Sequence, residues 1–282
     1  VDGVNVTGEF DGVGAIVQRI TPHFPVAAPP QPFDNKIKPL NSAAIVAGGG
    51  DNIASGARSS VLGGRSNTAS GYQATLGGGY SNTASGSTSF IGGGLTNTAS
   101  GTRSVIGGGC SNTASCNQST VAGGRGNTSS GGYSFVGGGL FNQAYEPGGS
   151  TVSGGYINIA HGLGSTIGGG CGNRVNAFNG FIGGGNCNFA YNSTSGCLAY
   201  GAVVAGGVGN NTTGGTWTLA SCIFTVAPTI CDAGQYSFVG GGLQNRATGT
   251  CSFVGGGRNN TASGYNSTVG GGDSNIANVC YG

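Results

Sequence analysis

From Ala44 onward, apolar and polar positions recur with a period of fifteen residues. Aligned on one asparagine, the series Asn52, Asn67, Asn82, Asn97, Asn112, Asn127 and Asn142 keeps that spacing without error. It resumes at Asn158, Asn173, Asn188, Asn210, Asn245, Asn260 and Asn275, which makes fourteen copies. Six residues before each asparagine stands an aliphatic side chain, such as Val61, Leu76, Ile91 or Val239, and three and four before it stand two glycines. Two residues after it the side chain is usually alanine. Alternation around the aliphatic position, as in Ser104-Val105-Ile106, predicts a strand with one inward face. The inward alanine predicts a second short strand. Glycine at this density argues against helix, because each one costs about 1 kcal/mol relative to alanine there.

The repeating unit is therefore strand, glycine corner, strand, turn, and each coil needs the next to bury its apolar face. The fold class is all-β: a parallel β-solenoid of about fourteen coils of fifteen residues. Stacking places Val, Ile and Leu over one another as a narrow core. It also places Asn67, Asn82, Asn97, Asn112 and Asn127 in a column, where side-chain amides can bond to their equivalents above and below.

The register breaks three times. One residue is added near Glu146-Pro147, seven lie within about 193–200, and twenty lie within about 213–234. The last insert carries the only tryptophan and is too apolar for a solvated loop. Insertions in solenoids project from one face and often bind, so Trp217, Ile223, Phe224 and Tyr200 are the candidate binding residues. Packing of the arm on a neighbouring chain is the competing reading. Residues 1–43 do not repeat. "VNVTGEF" and "VGAIVQRI" read as strands and "HFPVAAPPQPF" as a proline-rich connector, so this segment is expected to cap or attach the solenoid at residues 44–282.

Composition narrows the partners. Charged residues are only 6 % of the chain, net charge is +2, and no basic run exists, which argues against nucleic acid or an anionic membrane surface. No apolar stretch reaches the roughly 18 residues of a membrane span. The start at Val1, without methionine or a signal-peptide pattern, reads as a processed product or fragment. The residue just before each inward aliphatic points outward yet includes Ile45, Phe90, Val105, Phe135, Phe181, Val203, Phe238 and Phe253. Such a stripe is unusual on a monomer and argues for burial against other chains.

The phrases "NTASGTRSVIGGG" and "NTASGYNSTVGGG" resemble the head repeats of YadA-like trimeric autotransporter adhesins, and similar repeats occur in phage tail fibres. The resemblance covers residues 45–282. It implies a left-handed β-roll with three chains side by side. By function it implies a structural fibre or adhesin subunit: a rod-like homotrimer of a virion tail fibre or cell-surface appendage. Such a subunit, extracellular or on the virion surface, presents loops to a host-surface glycan or protein receptor. The period here is one residue longer than the commonest family repeat, a glycine triplet replaces Gly plus two variable residues, and cysteines are present. With no family stalk or anchor segment in the chain, a secreted or virion-borne part is expected.

Chemistry is sparse. His23 and His161 have no cysteine or carboxylate at ligand spacing, and the eight acids are scattered singly. Asp51 and Asp273 follow glycine triplets but are not repeated between, a weak signal for calcium. No catalytic residue, metal site or cofactor is expected. Nine cysteines show no CxxC spacing; Cys171 with Cys187, and Cys222 with Cys231, are the pairs placed to form disulfides. Asn-X-Ser/Thr sequons include those at Asn5, Asn117, Asn127, Asn192, Asn211, Asn259 and Asn266. Two alternatives stand beside the fibre. An ice-binding solenoid would use the column Thr68, Thr83, Thr98, Thr113 and Thr128, which gives way to Gln143, Ile159, Arg174 and Phe189. A tailspike-like polysaccharide-degrading enzyme would have to draw on Asp51, Glu146, Asp232 and Asp273.

Overall fold

The structure, a computed structural model, describes residues 7–11, 15–19, 34–37, 43–145, 148–191, 200–218 and 223–282. The chain divides into two compact units, Val1–Ser129 and Ser130–Gly282. Both are built from parallel two-residue strands stacked coil on coil as a β-solenoid, and there is no helix among the described residues. Among the described residues, no helix is long and apolar enough to cross a membrane.

In the first unit the aliphatic strands Ile45–Val46, Ser60–Val61, Thr75–Leu76, Phe90–Ile91, Val105–Ile106 and Thr120–Val121 pair in that order. The register is strict, with Leu76 opposite Ile91 and Ile91 opposite Ile106. A second sheet stacks the alanine strands from Ile53–Ala54 to Thr128–Ser129. Single bridges from Gly50 through Arg65, Tyr80, Leu95 and Cys110 to Arg125 add a third column. The N-terminal strands Thr7–Asp11 and Ala15–Arg19 pair antiparallel, and the proline-rich connector lies outside the described residues. Lys36–Ile37 already pairs with Ile53–Ala54, so the alanine sheet starts ahead of the first full copy.

The second unit repeats this plan. Its aliphatic sheet runs from Phe135–Val136 to Thr268–Val269 and passes both long inserts, with Ile182 opposite Val204 and Val204 opposite Val239. Its alanine sheet is cut. Gln143–Ala144, Ile159–Ala160, Arg174–Val175 and Phe189–Ala190 form one ladder. Arg246–Ala247, Thr261–Ala262 and Ile276–Ala277 form another.

The core is two inward columns. Val61, Leu76, Ile91, Ile106, Ile167 and Ile182 are fully buried, and so are Ala69, Ala84, Ala99 and Ala160. Burying each aliphatic contributes about 1.5–3 kcal/mol, and the small alanines let the two sheets approach. Thirteen of the fourteen asparagines, Asn52 to Asn260, are equally buried, at 0 % exposure, their amides are hydrogen-bonded, and the last, Asn275, is exposed. Asn82 Nδ2 donates to Asn67 Oδ1 at 3.1 Å, to the Gly78 carbonyl of its own coil at 3.1 Å, and to the Gly94 carbonyl of the next at 2.9 Å. The Asn82 backbone N–H donates to the same Asn67 Oδ1 at 3.0 Å. In the second unit the column crosses both inserts, since the Asn210 and Asn245 N–H groups donate to Asn188 and Asn210 Oδ1 at 3.1 and 2.9 Å. It also begins earlier than the repeat: the Asn52 N–H donates to Asn35 Oδ1 at 3.0 Å.

In the triplet at 92–94 the third glycine is held by backbone conformation and space together, while an added Cβ at Gly92 would also meet the Gly107 carbonyl oxygen, at 2.3 Å. Gly94 has φ +96°, and a Cβ there would lie 2.1 Å from the Gly109 carbonyl oxygen and 2.8 Å from Asn97 Nδ2. The asparagine amide occupies the space a side chain would need, so ladder and corner are one device. At Gly93 the nearest atom to an added Cβ is 3.8 Å away, and the first position of the triplet is filled by Leu62, Ala122 and Ser153 in other coils. Two further corners per coil use left-handed backbone at non-glycine residues. The six-after position includes Arg58, Gln73, Thr88 and Arg103, and the position just before the asparagine includes Ser81, Thr96 and Ile157, all with φ between +53° and +58°. Each costs about 1–2 kcal/mol of local strain, which the surrounding ladders hold in place.

Candidate functional site

The longest insert is a β-hairpin. Thr212–Thr213 pairs antiparallel with Thr229–Ile230, and Thr216–Thr218 with Ile223–Val226. Trp217 stands opposite Phe224 and Thr218 opposite Ile223, after a register shift between Thr216 and Trp217. Three of the four sequence-derived candidates therefore share one hairpin. Its described apolar surface includes Val226 and Ile230, 58 % and 37 % exposed. Thr225 Oγ1 donates to the Thr216 carbonyl at 3.1 Å, and Gln244 Nε2 donates to the Gly214 carbonyl, tying the arm to the coil below.

Tyr200 sits elsewhere, on a coil turn. It bridges Phe178 in parallel register, and the two rings meet edge to face at 5.4 Å. The Tyr236 N–H donates to the Tyr200 carbonyl at 2.6 Å, so this turn joins a column of stacked turns. The rest of the 193–200 insert lies outside the described residues, as do Glu146, Pro147 and Cys222.

Where the hairpin departs, Asn211 closes the sheet. Its N–H donates to the Asn245 carbonyl at 2.7 Å, its Nδ2 to the Phe189 carbonyl at 2.8 Å, and its Oδ1 accepts from the Ala247 N–H at 3.0 Å. The hairpin returns with the Cys231 N–H on the Asn211 carbonyl and the Ala233 N–H on the Tyr191 carbonyl, at 2.8 and 2.7 Å. Asn127 and Asn211, both sequon asparagines, are buried at 0 % and 1 %, so neither can carry a glycan in the folded chain.

A second surface was only partly visible in the sequence, as the break in the threonine column. Gln143, Ile159, Arg174 and Phe189 succeed one another on the outward side of the alanine strands. Two residues after each stand Tyr145, His161, Asn176 and Tyr191. Tyr145 Oη donates to Gln143 Oε1 at 2.7 Å, its ring meets His161 edge to face at 5.9 Å, and the Arg174 guanidinium lies 5.2 Å from the Tyr191 ring centroid. In the first unit the matching positions carry Thr68, Thr83, Thr98 and Thr113 with Ser70, Ser85, Ser100 and Ser115.

Cys171 and Cys187 lie in adjacent coils, with the Cys187 N–H donating to the Cys171 carbonyl at 2.9 Å, and both are free thiols. Burial pushes the Cys187 thiol up, and the neighbouring Cys171 adds to the shift. Asp51 pairs with Arg65 at 3.4 Å. Asp273 accepts from Arg258 Nε at 3.1 Å and from Ser274 Oγ at 2.8 Å, which hold its carboxyl below the usual range. Both acids that follow glycine triplets are thus engaged by arginine. No protein-family model matches the chain, and no curated protein matches it.

Proposed function

We propose that the chain is a structural fibre or adhesin subunit, a homotrimer of left-handed β-rolls at a virion or cell surface that presents its projecting hairpin to a host glycan or protein receptor. The observation that carries this reading is the outward side of the aliphatic strands. Ile45 and Phe90 in the first unit are 52 % and 41 % exposed, and Phe135, Phe181 and Phe253 in the second are 38 %, 41 % and 40 % exposed. These side chains are interspersed with serine and threonine along their columns, and exposed rings of this kind are stabilised when other chains cover them. Within each unit the strict register puts them on one face of a sheet, where a copy of the same sheet is a complementary surface. The hairpin supports the receptor role because it is an apolar element raised on a regular scaffold. Size-exclusion chromatography with light scattering tests the proposal. The expected mass is three times the 27.2 kDa of one chain, falling to one chain when Phe90 and Phe181 are replaced by serine. A stable single-chain species of the unaltered protein overturns it.

A further inference from the structure

We propose that the outward face built from Gln143, Tyr145, His161, Arg174, Phe189 and Tyr191 is a binding site for a carboxylate-bearing saccharide. The inference deepens the receptor-binding reading above and rests on it for the biological setting, though not for its geometry. Four consecutive coils of the second unit hold these side chains in strict register. Successive coils are spaced by about 4.8 Å, comparable with the span of one sugar ring. Aromatic faces beside a few oriented polar groups are what a pyranose needs: ring C–H groups stack on the aromatic, and hydroxyls bond to amide and phenol. Here Tyr145 and Gln143 are already fixed on each other at 2.7 Å, and His161 is exposed beside the Tyr145 ring.

The charge identifies the ligand class. The Arg174 guanidinium is held over Tyr191 at 5.2 Å but makes no ion pair or hydrogen bond with any described residue, and its Nε is buried without a partner. A buried donor left unpaired costs about 1–3 kcal/mol, and a carboxylate is the acceptor that best matches a guanidinium. A second cation–ring pair among the described residues differs, since Arg58 donates to the Tyr72 hydroxyl at 3.2 Å. The six residues include no acid that would repel an anion. A single cation among rings does not suit nucleic acid, whose binding scales with the number of phosphates neutralised.

Titration calorimetry on the full chain with oligogalacturonate, the matching neutral galactose oligomer and a poly-glutamate peptide tests the site. Oligogalacturonate is expected to bind, and the neutral oligomer and the peptide are not. Arg174→Ala and Tyr191→Ala are each expected to weaken binding by about tenfold or more. Arg174→Gln guards against a folding defect: it keeps donors, and it is expected to lose the preference for the acidic over the neutral oligomer. The site is overturned by absent oligogalacturonate binding, by full binding in folded Arg174→Ala, or by equal binding of poly-glutamate. It is also overturned if Trp217→Ala abolishes binding while Arg174→Ala spares it. A single-chain species that still binds through Arg174 would sink the fibre reading and sustain the site.

Discussion

Asn211 Nδ2 donates to the Phe189 carbonyl at 2.8 Å, and on its other side Asn211 Oδ1 accepts from the Ala247 N–H at 3.0 Å. A side-chain amide thus stands in for the peptide group of a missing strand, at the point where the hairpin leaves the solenoid. The cut in the alanine sheet is bridged by one residue.

Replacing Asn211 by alanine leaves the Phe189 carbonyl and the Ala247 amide without partners. Two orphaned groups imply a loss of about 2–4 kcal/mol. Thermal unfolding should fall accordingly, and hydrogen exchange at the Ala247 amide should accelerate. Unchanged exchange there would refute the bridging role.

The ladder predicts a sharper effect inside the first unit. Asn97 Nδ2 makes three donations, to Asn82 Oδ1, the Gly93 carbonyl and the Gly109 carbonyl, each at 3.0 Å. Asn97→Ala should cost about 3–5 kcal/mol, the range for breaking a buried network. Asn97→Asp buries a carboxyl against carbonyl oxygens, which raises its folded pKa. Stability of that variant should therefore fall as pH rises through the ordinary carboxylate range, and recover as pH drops below it. Denaturation curves from pH 3 to pH 7 would show the slope, and a flat profile would count against the geometry.

Neighbouring glycines should respond differently to the same change. Gly94→Ala forces a Cβ to 2.1 Å from a carbonyl oxygen at φ +96°, so expression of folded protein should collapse. Gly93→Ala meets nothing closer than 3.8 Å and should alter the melting temperature little. Equal damage at both sites would show that the corner is not built as described.

Serines in the column seven residues after the asparagine offer a gain. Ser104 Oγ is buried without a partner, whereas Ala74 fills the same position in another coil. Ser134 shows the relief available, its hydroxyl donating to the Gly131 carbonyl at 2.6 Å. Ser104→Ala should leave stability unchanged or raise it by up to about 1 kcal/mol. A clear loss would mean the hydroxyl has a role the geometry does not reveal.

The period of fifteen made the stacked strands legible, because an aliphatic residue and a glycine pair kept in register fourteen times can only be satisfied by one coil lying on the next. Asn35 escaped that count. It lies seventeen residues before Asn52, yet its amide bonds as the others do. The left-handed corners at Thr88, Thr96 and Ile157 were hidden for another reason. Local preference opposes that backbone for β-branched residues, and the ladder overrides it without leaving a sequence signal. The candidate sites were readable as interruptions. Trp217 and Phe224 stand out by composition, whereas the face around Arg174 appears only when Tyr145, His161 and Tyr191 are brought alongside by the register.

Val204 lies opposite both Ile182 and Val239, so one sheet goes on counting coils while the other is opened for an arm. The gap between Asn211 and Cys231 is thereby a natural grafting port. A foreign segment of different length can be installed there, provided its ends meet at the closure made by Asn211 and Cys231. The coils on either side need not be redesigned to receive it.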